Sequence, residues 1–360
     1  MKDSQHFDKS QAENFAGLLI DTLNKSSLSL MISIGHRSGL FDTMAEMDFA
    51  TSAEIADKAA LNERYVREWL GAMVTGGVVD YAPESKSYHL PAEHSAYLTR
   101  KAGADNIAVF AQYTAVMGAV EDDIMNCFKN GGGVPYSKFH RFHEVMAEDS
   151  GQSVLSSLES HILPLVPDLI SKLKSGIKIL DVGCGSGKII NKLAALFPKS
   201  QFTGMDLSAE AIATANAAAA AAGLKNVEFI IKDLSDFHQT APVQKFDFIT
   251  TFDAIHDQGK PLNVLKGIYR ALKADGTYLM QDISGTSHLD EDIKHPIGTF
   301  LYTISCMHCM TVSLAQDGEG LGAMWGEEKT REYLLNAGFN SVQTNKLAHD
   351  FQNNWYVVTK

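Results

Sequence analysis

The sequence is poor in cysteine, with four in 360 residues at irregular spacing. That is too few and too scattered for a disulfide framework, so reduced thiols are expected. Long apolar runs are missing as well. No uninterrupted stretch approaches the ~20 residues that cross a bilayer, and Met1-Lys2-Asp3-Ser4-Gln5-His6 lacks the apolar core of a secretory leader. Basic residues are in deficit: 31 Lys and Arg stand against 43 Asp and Glu, a net charge of −12. Nonspecific binding to nucleic acid or to an anionic membrane needs the opposite balance. A cytoplasmic protein with neither kind of partner is the expectation. Hydrophobic content of 45% with 21% charged residues is that of an ordinary globular chain, long enough for two or three domains.

The most informative stretch is Lys178-Ile-Leu-Asp-Val-Gly-Cys-Gly-Ser-Gly-Lys188. Ile179, Leu180 and Val182 read as a short buried strand. Gly183, Gly185 and Gly187 then form a turn, and a helix starts near Ile189. A strand passing through glycines into a helix brings bare backbone up to a ligand at the end of a parallel sheet. Phe202-Thr-Gly-Met-Asp206 is a second strand, ending in an acid placed to accept hydrogen bonds from a ribose diol. A dinucleotide site would space its glycines G-x-G-x-x-G and seat a pyrophosphate on the helix N-terminus. Here the third glycine comes one residue early, and Asp181 precedes the turn. That acid would repel a pyrophosphate but suits a cationic amino-acid moiety. A nicotinamide site and a glycine turn without any ligand are the competing readings.

Asp181-Val-Gly-Cys-Gly-Ser-Gly187 resembles motif I of the class I S-adenosylmethionine-dependent methyltransferases, D/E-x-G-x-G-x-G. The resemblance covers roughly the C-terminal half of the chain. It implies a Rossmann-like α/β domain with seven strands, the last two an antiparallel hairpin. It also implies S-adenosyl-L-methionine as cofactor. The donor is then held by Asp181 at its amino-acid end, by Gly183, Gly185 and Gly187, by Asp206 and Leu207 at the ribose, by Asp233 and Leu234 at the adenine, and by Phe252 and Asp253. The βα rhythm agrees. An alanine-rich helix spans 209–222, a third strand 226–234 ends in Asp233, and a fourth strand with its exit loop spans 246–256. A helix follows over 261–273, then a fifth strand over 276–282, a helix over 327–338 and strands near 341 and 355–358.

Ile255-His-Asp-Gln-Gly-Lys260 and the helix after it resemble the plant-type O-methyltransferases, where a histidine followed by Asp acts as base and later acids orient it. This implies His256 as the base and Asp282 as its first orienting acid. No glutamate matches the second acid, because the equivalent region reads Met324-Trp-Gly-Glu-Glu328. The alternatives are that His256 merely lines the site, or that Asp257 carries the polar role. A small-molecule acceptor is implied, methylated on oxygen first and on nitrogen or sulfur next. A winged-helix regulator that binds the nucleoside, and a protein methyltransferase, are the rival functions.

Ahead of this domain, apolar residues recur at helical spacing from Gln11 to Leu40, including Phe15, Leu18, Leu19 and Leu23, and read as a helix pair. Thr51 or Ser52 caps a helix, and a second runs from Asn62 to Gly76. Strands at 78–81 and 88–90 flank a polar turn, completing a winged helix. Its acids outnumber its bases, so the resemblance points to dimerisation of a homodimer rather than to DNA. The expected division is 1–100 for this domain, 101–173 for a helical linker or lid, and 174–360 for the nucleoside domain. An insert over 284–326 covers the acceptor. Tyr136, Phe139 and His143 are candidate lid residues, their rings suited to a sulfonium. Cys306, His308 and Trp325 are candidate walls of the acceptor site. The Cys306-Met-His-Cys309 cluster has no second ligand pair, which argues against structural zinc. Thiol-assisted metalloid methylation is a further alternative, and no metal is expected.

Overall fold

The computed structural model describes residues 7–360. Residues 1–6, on which the expectation of no secretory leader rested, lie outside the described residues. The chain divides into two compact units that meet in sequence at Ala115 and Val116. Of the expected lid segment 101–173, residues 116–173 therefore fall in the same unit as the nucleoside domain and residues 101–115 in the first unit.

The first unit opens on one helix, Lys9–Ser38, where a pair was expected. Asp8 caps it by accepting from the backbone N–H groups of Ser10 and Gln11 at 2.9 and 3.2 Å. No glycine or proline interrupts it between Leu18 and Ile34. Ser26 and Ser27 turn their hydroxyls back onto Leu23 O at 3.0 and 2.8 Å, so these polar residues do not break it. Gly39 ends it in the left-handed region at φ 76°. Thr51 and Glu54 then form a reciprocal capping box at the head of helix Ser52–Ala59. Helix Glu63–Thr75 follows, and strands β1 (Ala50–Thr51), β2 (Asp80–Ala82) and β3 (Ser87–His89) make a sheet in the order β1-β3-β2. Phe41, Ile55, Trp69, Leu70 and Met73 fill the core of this winged helix. The Trp69 indole donates to Met31 O at 2.8 Å, which ties the long helix to that core.

The second unit holds β4 (Lys178–Val182), β5 (Gln201–Asp206), β6 (Val227–Ile231), β7 (Phe246–Phe252), β8 (Leu272–Ile283), β9 (Ser341–Leu347) and β10 (Asp350–Thr359). Their order is β6-β5-β4-β7-β8-β10-β9. The first five are parallel, and β10 runs antiparallel to both β8 and β9. This is the arrangement the sequence resemblance implies, hairpin included. Both faces are covered, with Leu180, Ile249 and Leu265 on one side and Ile179, Leu193 and Phe248 on the other. Hence β4 reads as a continuous apolar run interrupted only by Asp181. From β4 the sheet grows in both directions, and at such a switch point the crevice at the carboxyl ends of the strands receives ligands.

Two segments close over that end. The insert after β8 contains helices Leu289–Asp292 and Gly298–Ile304, a wider π-type turn at Ser305–Cys309, and helix Met310–Leu314. The lid loop lies directly on it. Val134 N–H donates to Thr311 Oγ1 at 2.8 Å, and a Cβ on Gly133 would meet Thr311 O at 2.0 Å. Only glycine permits that approach.

Candidate active site

The donor end is built from backbone first. Gly183, Gly185 and Gly187 all have positive φ, at 75°, 51° and 69°. The N–H groups of Gly183 and Cys184 donate to Met205 O at 2.8 and 3.0 Å, binding the turn to β5. A Cβ on Gly183 would lie 2.5 Å from that of Ala254, and one on Gly187 would strike Ala215 and the Phe229 ring at 2.7 Å. These positions require glycine twice over, for conformation and for space.

Asp206 ends β5 with each carboxylate oxygen holding one backbone N–H: Gly185 on Oδ2 and Ser208 on Oδ1, both at 2.8 Å. It thus shapes the glycine turn as well as presenting its remaining lone pairs. Asp181 is buried opposite Gly204 and Thr250, and Thr250 Oγ1 donates to it at 2.8 Å. Burial, with some repulsion from Asp206, pushes its pKa up to about 7 despite that hydrogen bond. Asp233 is exposed, two residues beyond the end of β6 rather than within it, and accepts from Ser235 N–H at 2.8 Å. Leu234 is buried in the core below, and Leu207 is exposed after Asp206. Phe252 closes β7 and packs edge-on to Trp355.

The other end of the crevice centres on His256, 4% exposed in the loop leaving β7. Its Nδ1–H donates to Asp282 Oδ1 at 2.7 Å. That oxygen also accepts from Trp325 Nε1–H at 3.1 Å and from Ile283 N–H at 2.9 Å. Trp325, a candidate wall residue, thus supplies an indole that steadies Asp282. Burial works against a charged imidazole, but the Asp282 carboxylate prevails and raises the His256 pKa well above its ordinary value. Asp257 is pushed up to about 6 by burial, against the favourable charge of His256. Asp253, at φ 47°, accepts from Gln281 Nε2 at 2.8 Å and donates its own N–H to Gln281 O at 3.1 Å. Burial and the neighbouring Asp282 raise its pKa well above the carboxylate range.

The loop carrying His256 is clamped by the insert: Ser313 Oγ donates to Gln258 O at 2.9 Å, and Lys260 Nζ to Asp317 O at 2.8 Å. Lid and insert interlock through rings. His308 stacks on Phe142 with centroids 3.5 Å apart and receives the edges of Phe139 and Tyr136 at 4.7 and 5.0 Å, while Tyr136 stacks on His143 at 4.9 Å. Tyr136 also hydrogen-bonds Asp257. Neither ring nitrogen of the buried His308 has a hydrogen-bond partner, and burial lowers its pKa well below the usual value. Cys309 is buried beside His256, Cys306 is half-buried, and all four cysteines are free. Phe142 and Thr250 escaped the sequence reading. Only the parallel register of β4 with β7 sets Thr250 beside Asp181.

Sheet order, glycine turn and flanking acids together define the class I methyltransferase fold in the second unit, which follows a winged-helix fold in sequence. More particularly, residues 26–100 match the family model of the Rv2258c-like winged HTH domain, and residues 173–335 that of a methyltransferase domain. The ubiquinone biosynthesis O-methyltransferase of Actinobacillus pleuropneumoniae serotype 7 (strain AP76) is 32% identical over 133 residues, which are 35% of this chain and 56% of that protein. The chain thus spans about half the length of that relative. Among solved structures, the mitomycin 7-O-methyltransferase MmcR is similar with a TM-score of 0.70 at 15% identity, over 98% of this chain and 100% of that one. Human N-acetylserotonin methyltransferase, solved in complex with SAM, gives 0.66 at 19% identity, over 100% and 99% of the two chains. At such identities the likeness is one of fold.

Proposed function

We propose that the protein transfers a methyl group from S-adenosyl-L-methionine to a small-molecule acceptor, oxygen being the favoured acceptor atom. The observation that carries this reading is the meeting of two constellations at the carboxyl ends of β4, β5, β7 and β8. One is the acid-flanked glycine turn; the other is the buried His256–Asp282 pair. Methyl transfer from a sulfonium is an in-line displacement in which alignment supplies most of the catalysis. The acceptor oxygen forms a bond to the methyl carbon, the carbon–sulfur bond breaks, and its electron pair stays on sulfur. The hydroxyl proton leaves to Nε2 of His256 in its neutral form, since Nδ1 faces Asp282. In this reading Asp206 takes the ribose hydroxyls, Asp233 and Leu234 the adenine, and Asp181 the cationic amino-acid end. Tyr136, Phe139, His143, Cys306 and His308 bound the acceptor side. Incubating the protein with labelled donor and a panel of phenols, amines and thiols tests it; transfer confined to macromolecules would contradict it.

Asp181 adds a pH signature. In the free protein it is largely protonated below pH 7. A bound cation favours the carboxylate, so donor binding at pH 6 should expel close to one proton. Affinity should rise between pH 6 and pH 8 and then level off. Calorimetry in buffers of differing ionisation enthalpy measures this; binding without proton release at pH 6 would refute the role of Asp181.

We further propose a cytoplasmic homodimer joined through the N-terminal region. In support, Phe15, Leu18, Leu19, Ile20 and Leu23 are exposed together on helix Lys9–Ser38, five large apolar groups within nine residues. Leu19→Glu with Leu23→Glu should convert the dimer to a monomer in analytical ultracentrifugation, and an unchanged dimer would place the contact elsewhere. The winged helix serves that packing in this reading rather than DNA. The arginines of helix Glu63–Thr75 are already paired with its own acids, Arg64 with Glu68 and Arg67 with Glu63. Among the described residues, no helix is long and apolar enough to cross a membrane.

A further inference from the structure

We propose that Asp253, His256 and Asp282 form a site for one divalent transition cation, a use of these residues that needs no bound donor. One potential ligand atom of each lies within 4.8 Å of the others. First-row ions bind N and O ligands at about 2.0–2.2 Å, so opposed ligand atoms sit at most about 4.4 Å apart. Three atoms spread evenly around one such ion sit about 3.8 Å apart, so the ligands draw in by up to about 1 Å to close the site.

The unused atoms argue for an occupant. Asp282 is fully buried and its Oδ2 has no hydrogen-bond partner; Asp253 Oδ1 is buried and equally unpartnered. Orphaned oxygens of this kind are costly and uncommon in a folded interior. Their partner oxygens, by contrast, are well held. Gln281 Nε2 donates to Asp253 Oδ2 at 2.8 Å, and Trp325 and Ile283 donate to Asp282 Oδ1. Each carboxylate is thus anchored through one oxygen and free at the other, the pattern by which outer-shell donors orient metal ligands.

Charge and ligand type agree. Once an ion has displaced the protons, two carboxylates and an imidazole sum to −2, which a divalent ion balances. A set of one nitrogen and two carboxylate oxygens suits manganese, iron, cobalt or zinc better than magnesium or calcium. The ligands also come preassembled, because Asp253 N–H donates to Gln281 O at 3.1 Å and zips the exit of β7 to the end of β8. A cation here occupies the imidazole that otherwise accepts the acceptor's proton. The two uses exclude one another, so a bound cation suppresses turnover.

The test uses the full chain, stripped with a chelator, desalted and titrated with Co²⁺ alone. One ion per chain should bind saturably, giving a visible d–d band and quenching the fluorescence of Trp325. Trp325→Phe should lose most of that quenching and keep the band. Asp253→Asn and His256→Gln should each weaken binding tenfold or more. Absence of saturable uptake by the wild-type chain would overturn the proposal, as would wild-type affinity in both ligand variants. No donor is needed, so the outcome is independent of whether S-adenosylmethionine binds.

Discussion

His256→Ala is expected to slow methyl transfer to a hydroxyl acceptor by about 10²–10⁴-fold, the usual contribution of a positioned base. Donor affinity should be unchanged. The separation follows from the geometry: His256 hangs from the loop after β7 and bonds to Asp282, whereas the glycine turn is fastened to β5. Nothing that shapes the turn passes through the imidazole. Asp282→Asn tests the same point more gently. The amide keeps an oxygen for Trp325 and Ile283 but removes the charge beside the imidazole, so turnover should fall while the fold survives. A single-turnover rate in His256→Ala equal to that of the wild type would move the proton acceptor elsewhere, with Asp257 the nearest candidate.

Asp206→Ala is the second large effect. If the carboxylate accepts two ribose hydroxyls, each hydrogen bond to a charged group is worth about 1.5–3 kcal/mol. Together they account for about 3–6 kcal/mol, or roughly 10²–10⁴ in donor affinity. The loss compounds, because the same side chain holds Gly185 N–H and Ser208 N–H, so its removal also loosens the turn. Asp206→Asn separates the two contributions. Its amide still offers one oxygen to the backbone and should retain part of the affinity. Calorimetry with the demethylated donor product reads both variants, and wild-type affinity in Asp206→Ala would reject the ribose assignment.

Much of the nucleoside domain is legible in the sequence because its signals are local. The glycines sit between a buried strand and a helix, Asp206 ends the next strand, and alternating β and α patterns dictate a parallel sheet. The resemblance to plant-type O-methyltransferases pairs His256 with Asp282, and β7 and β8 are indeed neighbours whose ends lie side by side. The rest depends on contacts between distant segments. Trp325 reaches Asp282 across 43 residues, and no pattern around Met324-Trp-Gly announces a donor to a carboxylate. His308 and Phe142 stack across the lid and insert, although each alone reads as an ordinary buried ring. Asp253 joins His256 and Asp282 only because its backbone turns into the left-handed region at the end of β7, which nothing in Phe252-Asp-Ala marks. The long N-terminal helix shows the converse. A helix pair was expected there, but the hydroxyls of Ser26 and Ser27 bond back into the backbone and one helix continues.

Equilibrium dialysis of the full-length protein against labelled S-adenosylmethionine tests the central claim most directly. Saturable uptake of one donor per chain, abolished in Asp206→Ala and retained in His256→Ala, is the predicted result. Well-folded protein that takes up no donor would contradict the account at its root.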